Sequence, residues 1–260
     1  MFGRAKLAAV TAEFLGTGLL TLAVLTAATR GAIPAAFAAG LTLAVGVLIF
    51  GKVSGAHFNP AITLGFWTAG KVKTLKAIAY VAVQVLGAYA AFKLFEYLTG
   101  NPLNTGSGEF SGRGLTAEAI GTFVLALAVA VAVYRKYTSA QAAATIGGGI
   151  ALGVVVASAG SIGFINPAIG LSVLGFDSWV WGIYVVGPIV GAIVGVNLYA
   201  LLFDDERVAF KAAVAKEKAA KAAAAATATK AETKKEVKKP ATTKKSAAQR
   251  TAKKAAAKKK

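Results

Sequence analysis

The sequence predicts an all-α membrane protein with six transmembrane helices, two re-entrant half-helices and an inverted internal repeat. Three observations lead to this fold class. The chain is 56% hydrophobic with a mean hydropathy of +0.63, it contains several long apolar segments, and its two halves match in sequence. This composition is too apolar for an ordinary soluble domain.

Charge divides the chain into an apolar body and a basic tail. Residues 1–203 contain 11 Lys and Arg against 5 Asp and Glu, a net charge of +6. Residues 204–260 contain 18 against 6, a net charge of +12. We therefore predict one membrane domain over 1–203, with repeats over about 5–100 and 112–203, followed by a separate tail.

Six stretches are long and apolar enough to cross about 30 Å of hydrocarbon as helices. They lie near residues 7–29, 34–51, 76–98, 114–134, 142–160 and 178–203. Two further apolar segments, 59–68 and 166–174, are only about half the length of a span. Both begin with Asn-Pro-Ala, and we predict that they enter the membrane without crossing it.

The short connections carry an orientation signal. One side of the predicted membrane receives most of the basic residues, and the other side mixes basic with acidic residues. The basic set consists of Arg4, Lys6, Lys71, Lys73, Lys76, Arg135 and Lys136. Because cytoplasmic loops are enriched in Lys and Arg, we expect both termini in the cytoplasm and the protein in the cell membrane.

The internal repeat is evident from aligned segments. Residues 11–27, TAEFLGTGLLTLAVLTA, match residues 116–132, TAEAIGTFVLALAVAVA, at ten of seventeen positions. Each half contains three spans, so the second half is inverted relative to the first. Inverted repeats place the functional site near the membrane midplane, where interrupted helices meet.

The two Asn-Pro-Ala motifs, Asn59-Pro60-Ala61 and Asn166-Pro167-Ala168, have the chemistry of helix starts. Asn is a good N-cap, and Pro is favoured at the first helical position. The inverted repeat brings two such starts together, with their positive dipole ends facing each other. The Asn amides can then donate hydrogen bonds to a passing oxygen, while the helix ends oppose cations.

Around these motifs the sequence resembles the major intrinsic proteins, the aquaporins and glycerol facilitators. The resemblance rests on residues 54–65, SGAHFNPAITLG, and 164–168, FINPA. Glu13, Glu118, Gln84 and Gly187-Pro188 also stand where the family has them. The resemblance implies an aquaporin-like right-handed bundle, a homotetramer with one pore per subunit, and passage of water or small neutral solutes such as glycerol.

Glu13 and Glu118 lie inside predicted spans, where a carboxylate is a functional candidate by default. They are either proton-relay groups of a transporter or, as the resemblance implies, acceptors for the backbone of the re-entrant loops; we favour loop support. His57, the only histidine, is interpreted as a loop-packing residue, with pH sensing as the alternative.

The predicted outer filter departs from the family pattern. Members of the family carry an Arg directly after the second motif, whereas this chain has Ile169. Alignment on the two motifs assigns the other filter positions to Ala39, Val154 and Gly163. These residues predict a small-sided, apolar constriction that is wider than a strict water filter and admits glycerol, urea, ammonia or similar solutes.

The tail, 204–260, is dominated by Ala, Lys and Thr, and we predict a helix from Arg207 to about Ala226 followed by a disordered polycation. Three roles remain open: a solvated tail, attraction to anionic lipids at about 1 kcal/mol per basic residue near the surface, or salt-sensitive nucleic-acid binding.

We predict a passive channel with membrane lipids and neutral solutes as its partners. The alternative is an ion-coupled secondary transporter, because inverted repeats and membrane carboxylates also occur in that class. A membrane-anchored nucleic-acid tether is a third class. With one His and no Cys, the chain offers little for enzyme chemistry, and we expect no cofactor and no metal.

Overall fold

The computed structural model describes residues 3–31, 33–103, 107–203 and 214–222. These residues contain helices and no β-strand. The helices are α1 (Arg4–Arg30), α2 (Ala35–Phe50), α3 (Pro60–Thr68), α4 (Thr74–Thr99), α5 (Gly112–Tyr134), α6 (Ser139–Ala157), α7 (Pro167–Leu174) and α8 (Ser178–Leu202). The all-α membrane fold predicted from the sequence is confirmed.

Five of these helices, α1, α4, α5, α6 and α8, are long and apolar enough to cross a membrane. The remaining predicted span, 34–51, corresponds to α2, which is shorter than the other five because it has only 16 residues. At 1.5 Å per residue it reaches about 24 Å, and turn residues 51–54 continue the chain from its end.

Local sequence accounts for several helix ends. The first helix ends at Gly31, whose φ of 67° is left-handed and whose N–H donates to the Ala27 carbonyl. Helix α6 begins with a capping box, in which Thr138 and Gln141 exchange side-chain and backbone hydrogen bonds. Such caps satisfy backbone groups that the helix itself leaves unpaired.

Helix α8 contains a π-helical turn from Trp181 to Val186, whereas the sequence predicted an uninterrupted α-helix. Regular α-helix resumes at Gly187, directly before Pro188. Because proline has no N–H, it cannot donate to the carbonyl four residues earlier, which is that of Tyr184. The Gly-Pro pair was the available signal for a local change of helix type.

The packing follows the internal repeat. Helix α1 packs on α4 in the first half, and α5 packs on α8 in the second. Glycines permit the same close approach in both halves: a Cβ on Gly87 would lie 2.2 Å from the Phe14 carbonyl, and one on Gly191 would lie 2.0 Å from the Ala119 carbonyl. Equivalent residues therefore make equivalent contacts.

The half-helices connect the two halves. Helix α3 packs on α8, and α7 packs on α4, so each half-helix contacts the last helix of the opposite half. Between the halves, α2 packs on α6 where Gly40 and Gly147 face each other. This exchange brings the amino ends of α3 and α7 into the centre of the bundle.

Apolar side chains cover the outside of the bundle as well as its core. Large exposed examples include Leu75, Tyr97, Phe37, Leu48 and Val155. In a membrane protein such a surface contacts lipid tails, which are as apolar as the side chains themselves.

The segment 214–222, which belongs to a second unit, is helical and carries an exposed ion pair between Lys221 and Glu217. The rest of the predicted tail lies outside the described residues.

Candidate functional site: two facing Asn-Pro-Ala turns

Asn59 caps the first half-helix and reaches across to the other half. Its Oδ1 accepts a hydrogen bond from the Ala61 N–H at 2.9 Å, which is the expected N-cap geometry. Its Nδ2 donates to the carbonyl of Ile165 at 2.8 Å. The side chain is almost completely buried, with 2% exposure.

Asn166 makes the mirror-image set of contacts. Its Oδ1 accepts from the Ala168 N–H at 3.1 Å, and its Nδ2 donates to the Phe58 carbonyl at 2.9 Å. Each asparagine is therefore bonded to the residue that precedes the other asparagine. Because a carboxamide has two N–H donors, the bond to the carbonyl uses one donor and leaves the second N–H on each Nδ2 for another acceptor.

The first re-entrant loop is bound to the carboxylate of Glu13 in α1. Glu13 Oε1 accepts from the Ser54 hydroxyl at 2.6 Å and the His57 N–H at 3.0 Å. Glu13 Oε2 accepts from the Phe58 N–H at 2.7 Å and the Gln84 side chain at 2.7 Å. Four donors surround a fully buried carboxylate, as burial of such a group requires.

The second loop is bound to Glu118 of α5 in the same way. Its Oε1 accepts from the Ser161 hydroxyl at 2.7 Å and from the backbone N–H groups of Gly163 and Phe164, each at 3.0 Å. Its Oε2 accepts from the Ile165 N–H at 2.6 Å. These loop N–H groups have no helix or strand partner, so the carboxylates supply their acceptors.

His57 lies half-buried between the loop and the first half-helix. Its Nδ1 is 3.0 Å from the Thr63 hydroxyl, and its ring packs against Phe66 and Tyr80. The Gln84 side chain, which binds Glu13, also donates to the Thr63 hydroxyl at 3.0 Å. This series of side-chain hydrogen bonds is not repeated in the second half, because Gly170 and Pro188 stand at the positions matching Thr63 and Gln84.

The four predicted filter residues lie in or against the buried apolar cluster. Ala39 and Ile169 are 1% and 2% exposed, whereas Val154 is partly buried. Gly163 lies against Val154, since a Cβ on Gly163 would be 3.0 Å from the Val154 carbonyl. The structure therefore places Gly163 against Val154, and it buries Ala39, Gly163 and Ile169.

Sequence reasoning missed Ser54 and Ser161 as parts of the site. Both hydroxyls bind the membrane carboxylate of their half and accept an N–H from the residue two positions later, which is Ala56 or Gly163. The serines are 107 residues apart, the same offset as the two motifs, and this match was the available signal. No cluster of three or more His, Cys, Asp or Glu side chains within the described ranges could hold a metal ion.

Non-helical backbone survives at membrane depth only where protein buries it or where it lines an aqueous cavity. Here that backbone is buried beside two helix starts at the centre of an apolar bundle, which is the architecture of a multi-pass membrane protein. A profile of the family described as major intrinsic protein matches residues 3–199. The chain belongs to this family of membrane channels for water or small solutes.

Comparison with individual proteins gives the same result. The chain is 34% identical over 189 residues to the probable aquaporin AqpM of Archaeoglobus fulgidus, covering 64% of this chain and 76% of that protein. It is 32% identical over 215 residues to aquaporin-1 of Homo sapiens, covering 74% and 80%. With aquaporin NIP1-1 of Zea mays the identity is 36% over 174 residues, covering 63% of this chain and only 60% of the relative.

Among solved structures, the X-ray structure of the aquaglyceroporin from Plasmodium falciparum is similar, with a TM-score of 0.63 and 22% identity. The match covers 76% of this chain and 96% of that chain. At this identity the likeness shows the aquaporin fold. The family consists of aquaporin channels, which are not enzymes.

Proposed function

We propose that this protein is a passive channel whose central constriction consists of the free carboxamide N–H groups of Asn59 and Asn166. The observation that carries the proposal is the reciprocal bonding of the two side chains. One N–H of each carboxamide donates to a backbone carbonyl, and the second N–H of the same carboxamide can still donate. The oxygen of a neutral solute accepts hydrogen bonds from these N–H groups as the solute passes. Cations are opposed by the positive ends of α3 and α7.

The outer filter is formed by Ala39, Val154, Gly163 and Ile169. Arg would supply donors and a positive charge at the position of Ile169, and an apolar side chain supplies neither. The small side chains at the other three positions leave a wider opening. The channel therefore conducts glycerol, urea, ammonia or similar neutral solutes together with water.

The secondary-transporter alternative needs carboxylates that bind and release protons or ions during transport. Glu13 and Glu118 each already accept four hydrogen bonds from the loop or its neighbours. Releasing a carboxylate would leave buried donors unsatisfied, which costs about 1–3 kcal/mol for each group. These contacts indicate that the two glutamates hold the re-entrant loops in place, and they disfavour coupled transport.

Stopped-flow measurements on proteoliposomes test the proposal. Swelling is followed with glycerol, urea and larger neutral osmolytes for the wild type and for Ile169→Arg. The wild type is expected to pass water and the small solutes, without saturation and without response to an ion gradient. Ile169→Arg is expected to lower solute flux more than water flux. Rapid water flux with no solute flux in the wild type would refute the wide filter, and flux that follows an ion gradient would refute the passive channel.

The family resemblance supports a homotetramer with one pore per subunit, in contact with membrane lipids. The basic connections support a cell-membrane location with both termini in the cytoplasm. For the basic tail, contact with anionic lipid is favoured over nucleic-acid binding, and a solvated tail without a specific partner is the third role.

A further inference from the structure

The residues that directly precede the two asparagines have an unusual backbone. Phe58 has a φ of 48° and Ile165 a φ of 43°, both in the left-handed region. Bulky and β-branched side chains rarely adopt this conformation. Both residues are also buried, at 1% and 0% exposure. A strained backbone of this kind persists only where its surroundings hold it.

The surroundings are slots between the first two helices of each half, in which glycines leave room for the side chain. The Phe58 ring fills the space beside Gly16 and Gly46, where an added Cβ would lie 2.1 and 2.5 Å from ring atoms. In the other half, the Ile165 side chain lies beside Gly121 and Gly153, where an added Cβ would approach to 2.9 and 3.0 Å. Each side chain is a wedge in a slot that a methyl group would obstruct.

The main chain of each wedge residue connects the two halves of the protein. The N–H of Phe58 donates to Glu13 of its own half, and its carbonyl accepts from Asn166 of the other half. The N–H of Ile165 donates to Glu118, and its carbonyl accepts from Asn59. The wedge and the carboxylate thus hold a carbonyl oxygen at the position that the opposite asparagine needs.

We infer that Phe58 is a positioning residue for Asn166 and that Ile165 is a positioning residue for Asn59. The consequence for permeation rests on the proposed role of the two asparagines at the centre of the pore. A wedge that leaves its slot moves its carbonyl, and the asparagine of the other half loses the bond that orients its second N–H. The slot glycines therefore control the central constriction without contacting the solute.

The test enlarges the slot residue, shrinks the wedge, and then combines the changes. Gly16→Ala places a methyl group where the Phe58 ring now lies, and Phe58→Leu leaves the slot underfilled. The double variant Gly16→Ala/Phe58→Leu restores approximate complementarity. Gly148→Ala is the matched control, because a Cβ at Gly148 on α6 meets nothing within 4 Å.

Two readouts separate positioning from general destabilisation. The first is the set of side-chain amide NMR signals of protein labelled with 15N-asparagine, which contains five asparagines, with the Asn166 pair identified by its loss in Asn166→Ala. The second is the water permeability of proteoliposomes. Each single variant is expected to move the bonded Asn166 proton upfield and to lower permeability by about twofold or more, the smallest effect that coupled contacting residues usually produce. The double variant is expected to recover both, and Gly148→Ala to change neither.

An unchanged Asn166 signal in both single variants would overturn the inference, as would failure of the double variant to recover that signal. If Gly16→Ala does not fold, Phe58→Leu carries the same test, since it removes volume and adds no clash. If the Asn166 signal shifts in the single variants and recovers in the double variant while permeability never changes, the positioning role is supported. The same result would count against the proposed role of the asparagines in conduction.

Discussion

Asn59 and Asn166 each bind the loop of the other: their Nδ2 atoms lie 2.8 Å from the Ile165 carbonyl and 2.9 Å from the Phe58 carbonyl. The two bonds join residues that are 106 and 108 positions apart in the chain. Both half-helix starts therefore depend on the presence of the opposite half.

The first prediction concerns the cross-half bond. Asn166→Ala removes the cap of α7, worth about 1 kcal/mol, and leaves the buried Phe58 carbonyl without its donor, at a cost of about 1–3 kcal/mol. We expect a lower melting temperature in detergent and a loss of water permeability in proteoliposomes. Asn101→Ala, at an exposed position, serves as the control. An Asn166→Ala variant with wild-type permeability would contradict the role of this side chain.

The second prediction concerns the buried carboxylate of Glu118. In Glu118→Gln one acceptor oxygen becomes an amide that donates, so it opposes the N–H and O–H groups that surround it. We expect a loss of stability of about 1.5–3 kcal/mol, the usual value of a hydrogen bond to a charged group, measured by thermal unfolding. The exposed Glu109→Gln is the comparison. Abolition of an ion-gradient response by Glu118→Gln, with stability unchanged, would favour the transporter alternative.

The third prediction tests which face of α6 lines the pore. The chain has no cysteine, so mercurials are expected to leave the wild type unblocked. Val154→Cys is expected to become mercury-sensitive and to recover with a reducing thiol. Its neighbour Val155 is 59% exposed on the outside of the bundle, and Val155→Cys is expected to stay insensitive. Equal block of the two variants, or block of the wild type, would show that this assignment is wrong.

The fourth prediction concerns the width of the filter at Gly163. A methyl group there would lie 2.9 Å from the Ser158 Oγ and 3.0 Å from the Val154 carbonyl, on a backbone with a φ of 77°. We expect Gly163→Ala to reduce glycerol flux more than water flux and to lower stability, because the backbone conformation is unfavourable for any residue with a Cβ. Parallel measurement of Gly112→Ala, where a Cβ meets nothing within 4 Å, controls for the added methyl group. An equal loss of glycerol and water flux would show that this site does not set solute size.

The fifth prediction concerns the tail. Deletion of 204–260 removes 18 basic residues but no residue of the site. We expect unchanged water permeability and weaker binding of vesicles containing anionic lipid, with an effect that shrinks as salt is raised. A solvated tail predicts no change in vesicle binding, and a nucleic-acid tether predicts loss of salt-sensitive DNA binding instead. Lost permeability in the truncated protein would contradict an independent channel domain.

The sequence predicted the helices and the half-helices because their signals are local. Apolar length defined the spans, and the Asn-Pro-Ala turns predicted helix starts at Pro60 and Pro167, where α3 and α7 begin. The predicted bounds differ from the observed ones by a few residues: α2 covers 35–50 and not 34–51, and α6 covers 139–157 and not 142–160. The π-helical turn before Pro188 was not predicted, because it depends on how an interrupted ladder of hydrogen bonds relaxes.

What the sequence by itself determined is therefore the inventory: a membrane-embedded helical chain, two inverted halves, two capped half-helices, and an Ile where the family carries Arg. Only the tertiary structure decided which groups meet, including the exchange of half-helices, the four donors on each buried glutamate, and the slots that hold Phe58 and Ile165 in left-handed conformations. Propensity, capping and hydropathy act over a few neighbouring residues. The contacts between loops more than 100 residues apart arise only when both halves pack together.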